Sequence, residues 1–256
     1  MAPSCLSRPR GPTTGGTTVL IARLKSAFRE RHSIWRDGWT ADLSKPANRR
    51  WAHLDMMVFD HGFLRLWWRN LHEIAPGVWR SNQPSPAQIA DLERRGIRTI
   101  INLRGPSRWG SYFLEREECA RAGIEMIDTR LYSRMPPTIE EVEALFAIFE
   151  RAEKPLLMHC KSGADRAGLG AALYMLWSGR PPEDALAQLS FRYLHLKHAK
   201  TGMLDAFIEA YRDAHRERGI AFRDWLHTDY DKQAMMGAYQ ASRAGNFLVD
   251  RILRRE

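Results

Sequence analysis

The sequence predicts an α/β fold in which a largely parallel central sheet is flanked by helices. Three observations carry this expectation. From Gly77 to Trp177, short apolar runs suited to strands alternate with longer runs of helical period. Two of the helical runs open on a hydroxyl followed three residues later by Gln or Glu, Ser85 with Gln88 and Thr138 with Glu141. Such pairs satisfy the free N–H groups of a helix start reciprocally. Finally, the apolar run PLLMH (Pro155 to His159) has charge before it and glycine soon after, as a strand buried on both faces would.

In chain order, residues 1–18 are rich in Pro, Gly, Ser and Thr and are expected to form a disordered tail. Residues 19–75 read as a basic helical extension. Within it, Leu20, Leu24 and Phe28 recur at helical spacing among basic residues. His61 to Ile74 (HGFLRLWWRNLHEI) reads as a helix docked on the core, and its mixture of Phe, Leu and Trp with Arg65 and Arg69 would also suit an anionic membrane surface. The α/β domain is expected over 76–216. Its order is strand GVWRS, helix SPAQIADLERRG with Pro86 at the first helical position and Gly96 closing it, strand RTIINLR, helix YFLEREECARAG, strand EMIDTRL, helix TIEEVEALFAIFERA, strand PLLMH and helix 166–177. Helices at about 182–190 and 201–216 follow, and residues 217–256 form a helical C-terminal extension ending in NFLVDRILRRE.

Composition narrows the function classes. With 44% hydrophobic residues the 256-residue chain can bury one sizeable core. The formal charge of +9 points to an anionic partner: a phosphorylated protein or small molecule, or a membrane surface. Nucleic acid is disfavoured because no reader motif accompanies the charge. The three cysteines, Cys5, Cys119 and Cys160, are too few and too scattered for a disulfide framework. Together with the lack of a signal-peptide-like stretch in the first eighteen residues, this leads us to expect a cytoplasmic protein, with peripheral membrane association as a variant. No metal or cofactor is expected. His195 and His198 stand three apart, but no carboxylate or cysteine is spaced to complete a metal site.

Chemistry concentrates between PLLMH and the helix after it, in His159-Cys160-Lys161-Ser162-Gly163-Ala164-Asp165-Arg166-Ala167-Gly168. Ligands of open α/β sheets bind beyond the C-terminal ends of strands, where this segment falls, and Gly163 permits a tight loop. Successive backbone N–H groups of such a loop can surround a tetrahedral anion, and the helix N-terminus adds positive potential. The same field favours a thiolate at Cys160, the competent nucleophile. Arg166 can grip two phosphate oxygens at once, which a lysine could not.

This segment resembles the signature of the protein tyrosine and dual-specificity phosphatase superfamily: His-Cys, five residues, Arg, and usually a hydroxyl residue, then Gly. The resemblance spans about residues 77–215 and implies a mixed five-stranded sheet, a phosphocysteine intermediate on Cys160, phosphate binding by Arg166 and a loop of His159, Lys161, Ser162, Gly163 and Ala164 around the substrate. Lys161 and Gly163 are also similar to the inositol-lipid branch, although Ala164 stands where that branch often has a second lysine. Two departures follow. Ala167 replaces the hydroxyl that helps release the thiolate, which would slow the second step, and as an expected exposed first-turn residue it should accept threonine at little cost. For the general acid, Asp128, 32 residues before the cysteine, and Asp165 are the candidates, with Glu140 a further one. Sulfur transfer and a catalytically idle phosphate-binding module remain alternatives; His159, Arg166 and Gly168 together favour phosphate chemistry. Among other residues, His195, His198 and Lys200 are candidates for substrate contact and Arg104, beyond Asn102, for attracting anions. Cys119, Trp225 and Tyr230 are expected to be structural.

Overall fold

A computed structural model describes residues 15–40, 42–197 and 200–240. The chain divides into two compact units, one ending at Trp51 and the other beginning at Ala52. Most of the expected tail, residues 1–14, lies outside the described residues, and 15–18 form the first turn of α1 (Gly15–Thr40). Near its end, Trp35 meets Trp39 and Trp51, the latter on α2 (Pro46–Leu54), edge to face at 5.5 and 5.7 Å. Among the described residues no helix is long and apolar enough to cross a membrane.

The second unit holds a mixed five-stranded sheet in the order β1-β2-β5-β3-β4: β1 (His72–Ala75), β2 (Val78–Asn82), β3 (Thr99–Asn102), β4 (Glu125–Asp128) and β5 (Leu156–Cys160). All neighbours run parallel except β1, which pairs antiparallel with β2. The expected strands are present with ends one to three residues shorter or shifted. The fully buried β5 is central, as its unbroken apolar run requires.

Helices cover both faces. α4 (Pro86–Arg94) and α5 (Gly110–Ala122) close a smaller core of Ile89, Leu92, Ile97, Ile100, Cys119, Ile124 and Leu157. On the other face lie α6 (Ile139–Arg151), α7 (Asp165–Trp177), α8 (Pro182–Ala187), α9 (Met203–Arg218) and α10 (Phe222–Thr228). Burial of side chains such as Phe146, Leu173, Phe207 and Leu226 stabilises this layer by ~1.5–3 kcal/mol each. Both predicted capping boxes form, Ser85 with Gln88 on α4 and Thr138 with Glu141 on α6. Trp225 is buried in the larger core, and Tyr230 packs on it while donating to Pro137 O at 2.6 Å, as expected of structural residues.

One expected element is not formed. His61 to Ile74 is not a docked helix: only α3 (Gly62–Trp67) is helical, and β1 takes its end. The helix stops where Trp68 turns extended (φ −125°, ψ 98°), Asn70 follows in the left-handed region at φ 46°, and the backbone N–H of Asn82 donates to Arg69 O at 3.0 Å. The burial is inverted as well. Trp67 is 92% exposed, with Phe63, Leu64 and Leu66 also outward, while Arg65 is buried against Asp60. An ion pair, not apolar packing, anchors this turn.

Candidate active site

The parallel strands finish in one row. Asn82 is in register with Cys160, His159 with Asn102, and Asn102 with Asp128. Cys160 therefore closes the central strand, and the chain turns through residues 161–164 into α7. Gly163 is needed here on two counts. Its φ is +75°, and a Cβ would stand 2.7 Å from Asn82 N.

The loop is held from outside by its carbonyls. Asn70 Nδ2 donates to Ser162 O at 3.2 Å, and Arg80 Nη2 donates to Gly163 O at 2.8 Å and Ala164 O at 3.0 Å. The N–H groups of Lys161, Ser162 and Gly163 have no acceptor among the described residues. That of Ala164 meets Ser162 Oγ at 3.4 Å. The first N–H groups of α7 add to this set, since a helix start has no internal acceptors for them.

Arg166, partly exposed in the first turn of α7, makes no ion pair or side-chain hydrogen bond among the described residues. Its neighbours are committed. Arg104 is paired with Asp60 (2.8 Å), and so is Lys161 (3.1 Å), which also lies 3.4 Å from His61. The anion-attracting role expected of Arg104 is thus replaced by a structural one. Asp60 itself has no exposure and takes Arg65 and the Ser111 hydroxyl as well. Burial opposes its charge, but Arg104, Arg65 and Ser111 outweigh burial and hold the carboxyl well below the usual carboxylate range.

From Asp60 the polar chain continues beneath the cysteine. Arg104 reaches Gln83 Oε1, Gln83 Nε2 donates to Glu115 Oε2 at 2.6 Å, and Glu115 Oε1 lies 2.7 Å from His159 Nε2, a close approach without hydrogen-bond alignment. The residues on either side of Cys160, His159 and Lys161, are therefore joined through four intervening side chains. Glu115 and His159 have no exposure at all.

The two acid candidates differ in their partners. Asp128 stands two strands from β5, roughly 10 Å in backbone terms at ~4.8 Å per strand. Its oxygens accept from Asn102 Nδ2 and the Tyr112 hydroxyl, both at 2.7 Å. Burial and this carboxylate push the Tyr112 phenol up to about 12, so it remains a donor. Asp165 instead faces His195 Nδ1 at 2.8 Å, and His195 Nε2 faces Asp205 at 2.7 Å. Burial opposes a charged ring, but the two carboxylates prevail and raise His195 to about 9. His195 is thus a buried support for Asp165. His198 lies outside the described residues, Lys200 begins a single 3-10 turn, and Glu140 is exposed in the first turn of α6. Ala167 is fully buried in the larger core, which overturns the expectation of an exposed position. Cys119 is buried on the opposite face of the sheet, and burial pushes its thiol up, which leaves it inert.

Sequence reasoning missed Asp60, Asn70, Arg80, Gln83 and Glu115. Arg80 had a signal: it shares a strand face with Val78 and Asn82, where a sheet covered on both sides calls for apolar residues.

A cysteine at the end of a central parallel strand, an amide-lined loop and an unpaired arginine at the helix start define the architecture of cysteine-dependent phosphatases. The model of the family described as DSP-PTPase phosphatase fused to NAD+ kinase matches residues 68–200, just over half of the chain, and the chain belongs to that family. It is similar to the dual specificity protein phosphatase TpbA of Pseudomonas aeruginosa, 27% identical over 111 residues, which are 42% of this chain and 46% of that protein. The match thus spans about half the length of that relative. Among solved structures, P. aeruginosa TpbA aligns at 22% identity and TM-score 0.46, covering 57% of this chain and 90% of that one. The core catalytic domain of the PP-IP phosphatase SIW14 from S. cerevisiae aligns at 20% and 0.47, covering 64% and 98%.

Proposed function

We propose that the protein hydrolyses phosphate monoesters, with phosphorylated protein as substrate, through a phosphocysteine intermediate on Cys160. The observation that carries this reading is the loop from Cys160 to Arg166, with three N–H groups unclaimed and an arginine free of carboxylate partners among the described residues. The mechanism assigned to these groups is as follows. The Cys160 thiolate attacks phosphorus, forming an S–P bond as the P–O bond to the leaving group breaks. Loop amides and Arg166 stabilise the charge on the equatorial oxygens, each such donor being worth on the order of 3 kcal/mol. The leaving oxygen takes a proton from a carboxylic acid; water then attacks phosphorus, giving a proton to the resulting carboxylate, and the S–P bond breaks to return the Cys160 thiolate and release inorganic phosphate.

For the acid we favour Asp128. Its partners are an amide and a phenol, whereas Asp165 is held at 2.8 Å by His195, which is itself bridged to Asp205. Asp165 then serves to fix the start of α7. The similarity to TpbA supports a protein substrate. The commitment of Lys161 to Asp60 supports a single phosphoryl group, because the one extra cation of the loop already has a carboxylate partner. Hydrolysis of p-nitrophenyl phosphate, blocked by vanadate and compared across phosphotyrosine, phosphoserine and inositide substrates, tests the reading. A purified protein that neither binds vanadate nor turns over any monoester would refute it.

A further inference from the structure

The guanidinium of Arg80 lies directly behind the phosphate loop with no solvent exposure. Besides Gly163 O and Ala164 O, it donates to Gln188 O at 2.6 Å and to Gln188 Oε1 at 3.3 Å, and its Cζ lies over the Tyr193 ring, 3.9 Å from the centroid. Among the described residues no carboxylate pairs with it. A buried cation without a counter-ion is costly, and burial pulls this one down to about 10, against the attraction of Tyr193, Cys160 and Asp165.

Peptide geometry gives the arrangement a consequence. In a trans peptide the C=O of one residue and the N–H of the next point in opposite directions. Holding Gly163 O and Ala164 O on the Arg80 side therefore turns the N–H groups of Ala164 and Asp165 to the other side. Asn70, by holding Ser162 O, does the same for Gly163. Three consecutive peptide planes are thereby fixed before any anion arrives.

We propose that Arg80 is a positioning residue of the phosphate loop, which turns the amides of Ala164 and Asp165 toward the bound oxyanion and places a fixed positive charge behind Cys160. The inference rests on the phosphatase reading above. Lysine could supply the charge but not a planar fork that reaches four acceptors.

The test compares Arg80→Lys and Arg80→Met with the parent protein by vanadate affinity, the pH profile of Cys160 alkylation by iodoacetamide, and thermal unfolding. Arg80→Lys is expected to fold, to bind vanadate at least tenfold more weakly, and to leave the alkylation profile near that of the parent. Arg80→Met should also weaken binding and move the alkylation profile to higher pH. A purely structural role would lower the unfolding midpoint and leave both of the other readouts unchanged in the folded fraction, which would overturn the proposal. A measurement without variants complements these: on adding vanadate to the parent, the amide resonances of Gly163, Ala164 and Asp165 should shift, and unmoved resonances at saturation would also overturn it. A parent protein that binds no vanadate would instead refute the phosphatase reading.

Discussion

Asp165 faces Nδ1 of His195 at 2.8 Å, and the other nitrogen of that ring faces Asp205 at 2.7 Å. Two carboxylates leave both ring nitrogens to act as donors, so the bridge is complete only when the imidazole is protonated. Since His195 is raised to about 9 in the folded chain, its contribution to stability is fully present below the ordinary histidine value near 6.5 and is lost as pH rises toward 9. The difference corresponds to about 3 kcal/mol. The urea-unfolding gap between the native protein and His195→Gln should therefore be widest below about pH 6.5 and narrow by pH 9. A gap that stays flat over that range would show that the ring is not charged in the folded state.

Asp60 should behave in the opposite sense. Held well below the usual carboxylate range by Arg104, Arg65 and Ser111, it stabilises the fold above the unfolded carboxylate value and loses that contribution as pH falls through its own lower value. Asp60→Asn leaves Arg65 and Arg104 buried without a counter-charge and should cost ~3–5 kcal/mol near neutral pH. Acid titration of unfolding should show the gap closing below about pH 4. A neutral-pH loss under about 1 kcal/mol would mean that solvent replaces the carboxylate easily.

The fold was legible where its causes are local. Both capping boxes span three residues, and β5 announces itself by an unbroken apolar run. The loop was legible because cysteine, glycine and arginine fall within seven residues of a strand end. What escaped were long-range partners. Arg80 meets Gln188 across 108 residues and Asp60 meets Arg104 across 44, and nothing local marks either pairing. Glu115 was hidden in a helix that reads as charged all round, although the side chain is buried. Likewise α3 pattern-matched a docked helix because the sequence does not disclose that Arg65, not Trp67, faces inward.

Glu115 links Gln83 to His159 in a site without water access, so its removal should be felt twice. Glu115→Gln keeps the shape but replaces a carboxyl oxygen that accepts from Gln83 or stands beside His159 with an amide nitrogen, and should cost ~1–3 kcal/mol of stability. It should also change the pH dependence of Cys160 alkylation, because the ring next to the cysteine loses its carboxyl neighbour. A variant matching the parent in both measurements would remove Glu115 from the account.

Ala167 offers a correction with a kinetic test. Since the side chain is fully buried, Ala167→Thr should overpack the core at a cost of ~1–3 kcal/mol, whereas Ala167→Ser adds a hydroxyl with less bulk. If the missing hydroxyl slows breakdown of phosphocysteine, rapid mixing with p-nitrophenyl phosphate should show a burst followed by a slower steady state, and the serine variant should raise the slow rate. The absence of a burst would mean that the first step, not the second, limits turnover.

The central claim is that phosphate is carried on Cys160 and gripped by Arg166, and acid quenching during turnover followed by mass mapping of the peptide that contains Cys160 tests it most directly. We predict one phosphoryl group on Cys160 in the native protein and none in Cys160→Ser, which should fold and be inactive because a serine hydroxyl does not ionise in this loop. With Arg166→Lys the adduct should form more slowly, by ~2 kcal/mol or more in transition-state stabilisation. Undiminished turnover in pure Cys160→Ser, or a phosphoryl group trapped on another residue, would contradict it.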